Sequence, residues 1–261
     1  MIEARNVSAK MGNRVVLDEI SLCIRPGEIA VVVGTNGAGK STLLKTLTGD
    51  ARCASGAIFL ENQPLQKWPP RELAKRRAVL MQSSPLAFAF TVREVVLMGR
   101  APHHRGSITS NDREIARAAL ASVDMENFRE RLYPTLSGGE KQRVQLARAL
   151  AQIWHPHDDG PRYLLLDEPT ASLDLEHQFA TLEIARTLAA QGVGVLAILH
   201  DLHLAARYAD IVHVLHRGAH VAHGPPDKVL SKNLIERVFK VRFDREPRSL
   251  GERFHPAGEV V

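Results

Sequence analysis

The sequence predicts an α/β fold in which a mainly parallel sheet is covered by helices, and three observations support this prediction. Three short apolar runs are typical of strands buried on both faces: Ile29–Val33, Tyr163–Leu166 and Val193–Leu199. A glycine-rich loop follows the first run and leads directly into residues with helical apolar spacing. Residues 91–151 have little strand character, which predicts a helical insertion.

The composition is compatible with one globular domain. Of the 261 residues, 44% are apolar and 24% are charged, and the net charge of +5 is compatible with nucleic acid, an anionic membrane surface or neither as a partner. Cys23 and Cys53 are isolated, which favours a reducing compartment over a disulfide scaffold. The N-terminus lacks the apolar segment of a signal peptide, and no apolar run is long enough to cross a bilayer. We therefore expect a cytoplasmic protein that reaches a membrane only through a partner.

The other elements are predicted from apolar periodicity and turn residues. Alternation in residues 1–28, as in Ile20–Ile24, predicts half-buried strands, and residues 56–66 predict a further strand and turn. Residues 71–82 are predicted as a helix that runs into Val79–Gln82. Further predictions are helices at 41–49, 91–99, 111–123, 137–152 and 175–191, a hairpin at 211–223 turning at Arg217–Gly218, a surface loop at 154–161 and a loosely packed tail after residue 245.

The glycine-rich loop reads GTNGAGKST and matches the pattern GxxxxGK[ST]. Its backbone N–H groups are expected to converge on phosphate oxygens at the positive end of the following helix. Lys40 would reach the terminal phosphates, and the Ser41 hydroxyl would ligate Mg²⁺. A chance match in a glycine-rich turn is the alternative, and the flanking strand and helix argue against it. The loop residues are Gly34, Thr35, Asn36, Gly37, Ala38, Gly39, Lys40, Ser41 and Thr42.

Two carboxylates, Asp167 and Glu168, follow the buried run Leu164–Leu166. Ligands of open α/β sheets bind at the carboxyl ends of the strands. Asp167 is therefore placed to hold Mg²⁺ through water, and Glu168 to polarise an attacking water as general base. The alternative is an ordinary turn before Pro169, which the phosphate-binding loop in the same chain disfavours.

The segment LSGGEKQ opens the helix predicted at 137–152. Ser137 and Glu140 have the spacing of a capping box, so an ordinary helix start is one interpretation. Gly138 and Gly139 are costly in a first helical turn. They are explained if the backbone must approach another group closely, such as a phosphate at the helix N-terminus.

Together these motifs resemble those of the nucleotide-binding subunits of ABC transporters, over nearly the whole chain. GTNGAGKST resembles the Walker A loop, YLLLDE the Walker B strand and LSGGEKQ the ABC signature. Gln82 stands at the Q-loop position, Ser172–Asp174 at the D-loop and His200 at the switch-histidine position. The six motifs have the order and spacing of the family, and LSGGE between the Walker motifs is highly specific.

The resemblance implies a P-loop NTPase (RecA-like) core with a mainly parallel sheet, an N-terminal antiparallel β subdomain and an inserted α-helical subdomain. The chain, residues 1–261, would be a single domain. Its catalytic core with the β subdomain would comprise 1–82 and 153–245, its helical signature subdomain 83–152, and its C-terminal tail 246–261.

The resemblance also implies an ATPase that uses ATP and Mg²⁺ and works as a head-to-tail homodimer. Ser137 and Gly139 of one copy would meet the γ-phosphate bound by the other, and Asp174 would link the two sites. Gln82 would contact Mg²⁺, and His200 would hold the γ-phosphate and the attacking water. The expected catalytic residues are Lys40, Glu168 and His200; the expected metal contacts are Ser41, Gln82 and Asp167; the expected nucleotide contacts are the loop residues, Met11, Gln82, Ser137, Gly138, Gly139, Glu140 and Asp174.

Met11 departs from the family pattern, which has an aromatic residue there to stack on adenine. A thioether can lie on a ring, although it contacts the ring less strongly than Tyr or Trp does. Val16 is expected to share this contact.

A single cassette without fused membrane spans or a heptad run favours a transport subunit of a bacterial importer. It would sit on the cytoplasmic face of the inner membrane with two transmembrane permease subunits and, indirectly, a periplasmic substrate-binding protein. No nucleic-acid partner is expected. The alternative of a different class is a soluble, non-transport ABC ATPase that acts on nucleic acid or ribosomes.

Two segments resemble importers of one substrate group. Val95–His103 resembles the VxxGRxPH stretch of importers for haem, ferric siderophores and cobalamin, and the 154–161 loop resembles an insertion in haem-importer ATPases. Haem is therefore the favoured substrate, with ferric siderophore or cobalamin as the alternative.

Two further groups of residues have open interpretations. His213, His216, His220 and His223 lie on the predicted hairpin, where His213 and His216 would point to opposite faces, and solvated or core-edge histidines are favoured over metal or haem ligands. Residues 83–100 are the expected permease contact. Phe88 and Phe90 would be either exposed contacts or anchors of this segment.

Overall fold

The computed structural model describes residues 1–82, 88–104, 106–155 and 160–240. The predicted tail 246–261, positions 83–87 of the expected permease contact and positions 156–159 of the predicted loop lie outside these residues. The model confirms the predicted fold class, because it has a mainly parallel sheet with helices and a separate antiparallel sheet.

The smaller sheet is antiparallel and contains four strands in the order β2-β1-β4-β5. Alternating burial along β1 and β2 agrees with the half-buried strands predicted for this region. Its strands are β1 (Ile2–Met11), β2 (Arg14–Ile24), β4 (Ser55–Leu60) and β5 (Gln63–Pro64).

The larger sheet has six strands in the order β10-β9-β3-β8-β7-β6. All neighbouring pairs are parallel except β9 and β10, which form the predicted hairpin. The strands are β3 (Ile29–Gly34), β6 (Arg77–Leu80), β7 (Tyr163–Asp167), β8 (Gly194–Ile198), β9 (Ile211–His216) and β10 (Ala219–Gly224).

Nine α-helices occur in the described part of the chain, and four short 3₁₀ turns accompany them. Their bounds are α1 (Lys40–Thr48), α2 (Pro70–Arg76), α3 (Val92–Met98), α4 (Ser110–Ala121), α5 (Gly138–Gln152), α6 (Leu175–Ala190), α7 (Leu202–Tyr208), α8 (Pro226–Val229) and α9 (Lys232–Phe239).

The larger sheet is buried on both faces, as its continuous apolar runs predict. Along β3, Val31 and Val33 face a core shared with helices α3 to α7, whereas Ala30 and Val32 face a core shared with α1 and the smaller sheet. Burying a valine side chain stabilises the fold by about 1.5–3 kcal/mol. The two cores hold the carboxyl ends of the strands in fixed positions.

Residues 77–80 correct the helix predicted at 71–82. Helix α2 ends at Arg76, and Arg77–Leu80 is a strand that pairs in parallel with β7. Ala78 and Leu80 are almost fully buried. Backbone pairing with β7 and this burial outweigh the helical periodicity, and neither is visible in a run of four residues.

Helices α3, α4 and α5 contact one another and share the first core with the larger sheet. The helices predicted at 91–99, 111–123 and 137–152 are thus present, whereas α7, α8 and α9 were not predicted. The division of the chain into subdomains stays a prediction. Within the described ranges, no helix combines the length and apolarity needed to span a bilayer.

Candidate nucleotide-binding and hydrolysis site

Four neighbouring strands of the larger sheet end at the same edge. The phosphate-binding loop follows β3, His200 lies two residues after β8, Glu168 directly follows β7, and Gln82 lies two residues after β6. Parallel strands bring their carboxyl ends to one edge, which is where open α/β sheets bind ligands. Residues that are far apart in the sequence therefore meet here.

The loop needs glycine at two positions because the backbone approaches its neighbours closely. A Cβ at Gly34 would lie 2.2 Å from the carbonyl oxygen of Leu215. Gly39 has a φ of 101°, and a Cβ there would lie 2.8 Å from both the Val16 carbonyl oxygen and the Leu17 side chain. The hairpin turn also supports the loop, because the Gly218 N–H donates to the Ala38 carbonyl.

Lys40 is 6% exposed and its ammonium group lies inside the loop. It donates to the Gly34 carbonyl at 2.8 Å and to the Thr35 carbonyl at 3.2 Å. Burial lowers the pKa of Lys40, and the Glu168 and Asp167 carboxylates oppose this shift. A cation is thus held where the loop N–H groups would receive phosphate.

Gln82, Glu168 and His200 form a hydrogen-bonded group, which we call the Glu168 cluster. The Gln82 amide donates to one Glu168 oxygen at 2.8 Å, and the His200 Nε2 atom lies 2.5 Å from the other. The His200 side chain is 45% exposed and the Glu168 side chain 15%, so the cluster is open to solvent. Glu168 adopts a left-handed backbone conformation with a φ of 50°, at the bend between β7 and the following segment.

Asp167 is 4% exposed, and its Oδ1 atom is buried without a hydrogen-bond partner among the described residues. Burial and the neighbouring Glu168 raise the pKa of Asp167, while Lys45, Lys40 and His200 oppose the rise. A buried carboxylate oxygen without a partner is unfavourable unless a cation or water satisfies it. This buried oxygen of Asp167 fits the predicted role of Asp167 in holding Mg²⁺, in which the sequence also predicts a part for Ser41.

The loop lines a cavity of about 1010 Å³. The cavity wall also contains Glu168, Met11 and Val16. Met11 is 67% exposed, so its side chain is available to a ligand. The predicted residues on this wall are Met11, Val16, Thr35, Asn36, Gly37, Ala38, Gly39, Lys40, Ser41, Thr42 and Glu168.

The signature residues are not on the wall of that cavity. Ser137 caps α5, and the capping box with Glu140 is complete, with hydrogen bonds of 3.3 Å and 2.7 Å. These hydrogen bonds lower the pKa of Glu140. A Cβ at Gly139 would lie 3.0 Å from the Ser172 carbonyl oxygen, whereas a Cβ at Gly138 would meet no described atom within 4 Å. The first turn of α5 is thus capped and open on one side.

Asp174 caps helix α6 and lies apart from the loop cavity. Its Oδ1 atom accepts from the His177 N–H at 3.0 Å and lies 2.6 Å from the His177 ring. These contacts lower the pKa of Asp174. Its side chain is 68% exposed, which leaves it available for a contact outside this chain.

Sequence reasoning missed two features of the site. Gln142 of the signature helix donates to the Glu168 backbone carbonyl at 3.1 Å, which joins α5 to the carboxyl end of β7. Val238, Phe239 and Lys240, at the end of α9, line the loop cavity. The apolar spacing of Leu234, Ile235 and Val238 predicts an amphipathic helix, but its position beside the loop depends on the tertiary fold.

Three hairpin histidines, His213, His220 and His223, form a group that we call the histidine cluster. Their ring centroids lie 5.1–6.0 Å apart, and His213 Nδ1 lies 3.1 Å from His220 Nε2. His213 is 3% exposed. Its pKa is lowered to about 3 by burial and by the nearby His220, His223 and Arg25 side chains. His216 instead lines the loop cavity, which agrees with the predicted opposite faces of β9.

Phe88 and Phe90 differ in their surroundings. Phe88 is 73% exposed, whereas Phe90 packs against the core shared by the larger sheet and the helices. Their rings meet edge to face at 6.1 Å. Phe90 is thus an anchor of this segment, and Phe88 is available for a contact.

Comparisons with a protein family and with individual proteins identify the same kind of protein. The family described as ABC transporter matches residues 17–171. The chain is 55% identical to a hemin import ATP-binding protein, HmuV, of Gloeobacter violaceus over 239 residues, which cover 92% of this chain and 87% of the relative. It is 51% identical to the HmuV protein of Myxococcus xanthus over 261 residues, which cover 99% of this chain and 98% of the relative.

A solved structure with a similar fold is described as the dimeric structure of MJ0796, a bacterial ABC transporter cassette. It has a TM-score of 0.76 and 26% sequence identity, over 87% of this chain and 99% of that chain. This similarity confirms the α/β architecture described above.

Proposed function

The chain belongs to the ABC transporter family, and we propose that it is the ATP-binding and ATP-hydrolysing subunit of an importer that energises haem uptake through a separate permease. The observation that carries the hydrolytic role is the Glu168 cluster at the same sheet edge as the phosphate-binding loop. Haem as cargo rests on the similarity to hemin import ATP-binding proteins over nearly the whole chain.

Phosphate binding would use the loop and Lys40. Backbone N–H groups of the loop and the N-terminus of α1 present partial positive charge to phosphate oxygens. The Lys40 ammonium, now bound to the Gly34 and Thr35 carbonyls, would turn its free hydrogen toward the terminal phosphates. Ser41, Asp167 and Gln82 would hold Mg²⁺, which when bound would supply positive charge that neutralises the phosphate oxygens.

Hydrolysis would use the Glu168 carboxylate as the base. Glu168 accepts a proton from the water that attacks the γ-phosphate, and His200 holds that water and the γ-phosphate in line. Gln82 keeps the second Glu168 oxygen in place through its amide. Phosphoryl transfer depends mainly on positioning and charge stabilisation, which fixed contacts at the ends of three strands supply.

The site is completed by a second copy of the chain. Ser137, Gly138 and Gly139 lie at the capped N-terminus of α5, away from the cavity of their own chain. A helix N-terminus is suited to binding phosphate, and Gly138 leaves room for it. In a head-to-tail dimer these residues would meet the γ-phosphate of the other copy, with Glu140 holding the cap and Asp174 at the interface.

Permease contact is proposed at the cytoplasmic side of the membrane, through exposed Phe88 and through a groove formed by other residues. The groove has a volume of about 960 Å³ and is lined by Trp68, Met81 and Gln152, among others. Met81 precedes Gln82 of the Glu168 cluster, so a movement in the groove can reach the hydrolytic residues directly. A Phe88→Ser variant should keep basal hydrolysis and lose stimulation by the permease.

Reconstitution with the permease tests the proposal. ATP hydrolysis would be measured in proteoliposomes with substrate-binding protein loaded with haem, ferric siderophore or cobalamin. We expect haem to give the largest stimulation. Stimulation by one of the other ligands alone would refute haem as cargo, and a chain that purifies with ribosomes and no permease would refute the transport role.

A further inference from the structure

The cavity beside the phosphate-binding loop extends to a helix that has no part in the roles described above. The cavity wall includes loop residues Thr35–Thr42 and also Val238, Phe239 and Lys240 at the end of α9. ATP that places its phosphates on the loop would place its base toward the remaining walls. The residues on those parts of the wall would then be the ones that contact adenine.

Helix α9 holds Phe239 in a fixed position at this wall. Ile235 and Val238 are each 2% exposed and anchor the helix to the core. The helix is capped at Ser231, and the N–H of Lys240, which directly follows the helix, donates to the Glu236 carbonyl at 3.0 Å. Phe239 packs partly against the core and partly borders the cavity.

Besides the loop residues, the cavity wall offers aliphatic side chains, a thioether, two guanidinium groups and the His216 imidazole, the guanidinium groups being those of Arg14 and Arg217. Met11, Val15 and Val16 line the side contributed by the smaller sheet. Among the described residues on the cavity wall, Phe239 is the only Phe, Tyr or Trp. An aromatic ring contacts a nucleobase more strongly than a thioether does.

We infer that Phe239 is a base-contacting residue, and that Met11 and Phe239 both contact adenine in this cavity. Helix α9 thereby supplies the aromatic contact that Met11 does not. This inference rests on the proposed ATP binding at the loop, and it assigns helix α9 a direct role in nucleotide affinity.

Comparing two ligands separates base contacts from phosphate contacts. Binding of Mg²⁺-ATP and of inorganic tripolyphosphate would be measured by titration calorimetry for the full-length chain and its variants. Phe239→Ala should weaken ATP binding by about tenfold and leave tripolyphosphate binding unchanged, because only ATP carries a base. Phe239→Trp should retain or tighten ATP binding.

Leu234→Ala is the matched control, because Leu234 lies on the same helix and packs partly against the same core without lining the cavity. This variant should leave the ratio of ATP affinity to tripolyphosphate affinity unchanged. If Phe239→Ala does not fold, Phe239→Leu replaces it. Phe239→Leu should also lower the ratio of ATP affinity to tripolyphosphate affinity. Equal ATP affinity in wild type, Phe239→Ala and Phe239→Leu, or the same loss in Leu234→Ala, would overturn the inference. Wild type that binds neither ligand would instead refute the proposed ATP binding.

Discussion

The Glu168 cluster and the histidine cluster both bring three polar side chains together, yet they differ in charge and in access. In the first, a carboxylate pairs with His200 and Gln82 at an open sheet edge beside the phosphate-binding loop. In the second, three imidazoles pack on one another, and His213 is 3% exposed.

The difference shows that proximity of titratable groups is a poor indicator of chemistry. Burial and the neighbouring His220, His223 and Arg25 lower the pKa of His213 to about 3, so its ring stays neutral near pH 7. In the part of the chain that the structure describes, no three His, Cys, Asp or Glu side chains are arranged to hold a metal ion. Access to a ligand and a place at the ends of parallel strands are what distinguish the Glu168 cluster.

The largest expected effect is on hydrolysis in Glu168→Gln. The amide keeps the shape of the side chain but cannot accept a proton from water, so steady-state hydrolysis should fall by about a hundredfold or more. ATP binding should persist. Glu114→Gln is the control, since Glu114 is an exposed carboxylate paired with Arg117. Undiminished hydrolysis in Glu168→Gln would refute the general-base role.

The histidine cluster should instead affect stability. Between pH 6.5 and the folded-state pKa of about 3, His213 binds a proton in the unfolded chain but not in the folded one. The free energy of unfolding should therefore fall as the pH is lowered, by about 1.4 kcal/mol per pH unit for this group. Denaturant titrations at pH 6.5, 5.5 and 4.5 measure the slope.

His213→Phe should flatten this pH dependence. The Asp112 carboxyl, whose pKa is lowered to about 2, affects stability only below its ordinary value of 3.8 and thus outside the window. A slope that is the same in wild type and His213→Phe would show that His213 is not the group responsible.

The rate of ATP hydrolysis should also distinguish the Glu168 cluster from the histidine cluster. His200→Ala removes the ring paired with Glu168 and should lower the hydrolysis rate by roughly tenfold or more. His223→Ala removes an exposed member of the histidine cluster and should leave the rate unchanged. Equal losses in both variants would break the comparison.

The smallest expected effect concerns Met11. Met11→Tyr places an aromatic ring at a side chain that is 67% exposed and lines the cavity. A base contact of about 1 kcal/mol corresponds to roughly fivefold tighter ATP binding. Unchanged affinity for ATP would count against Met11 as a base contact.

Features that depend on neighbouring residues in the sequence could be predicted. The phosphate-binding loop needs a strand before it, glycines within it and a helix after it, and all three are local. The capping box of Ser137 and Glu140 is likewise visible as a spacing of three residues.

Features that depend on residues far apart in the chain could not be predicted from the sequence. Strand β6 exists because it pairs with β7, about 85 residues away in the chain. The same holds for the bond from Gln142 to Glu168 and for the place of Phe239 at the cavity wall. The predicted roles of His200 and Gln82 came from resemblance to a family, because their meeting with Glu168 is also long-range.

The division of the hydrolytic site between two copies is the central claim, and the mass of the Glu168→Gln chain with Mg²⁺-ATP tests it most directly. Light scattering should show a shift from the 28.8 kDa monomer to a dimer of twice that mass. Adding Gly138→Glu should abolish the dimer, because the negative side chain would meet the γ-phosphate bound by the other copy. ATP binding should persist, because a Cβ at Gly138 meets no described atom of its own chain within 4 Å. A Glu168→Gln chain that binds ATP and remains a monomer, or a dimer that survives Gly138→Glu, would contradict the claim.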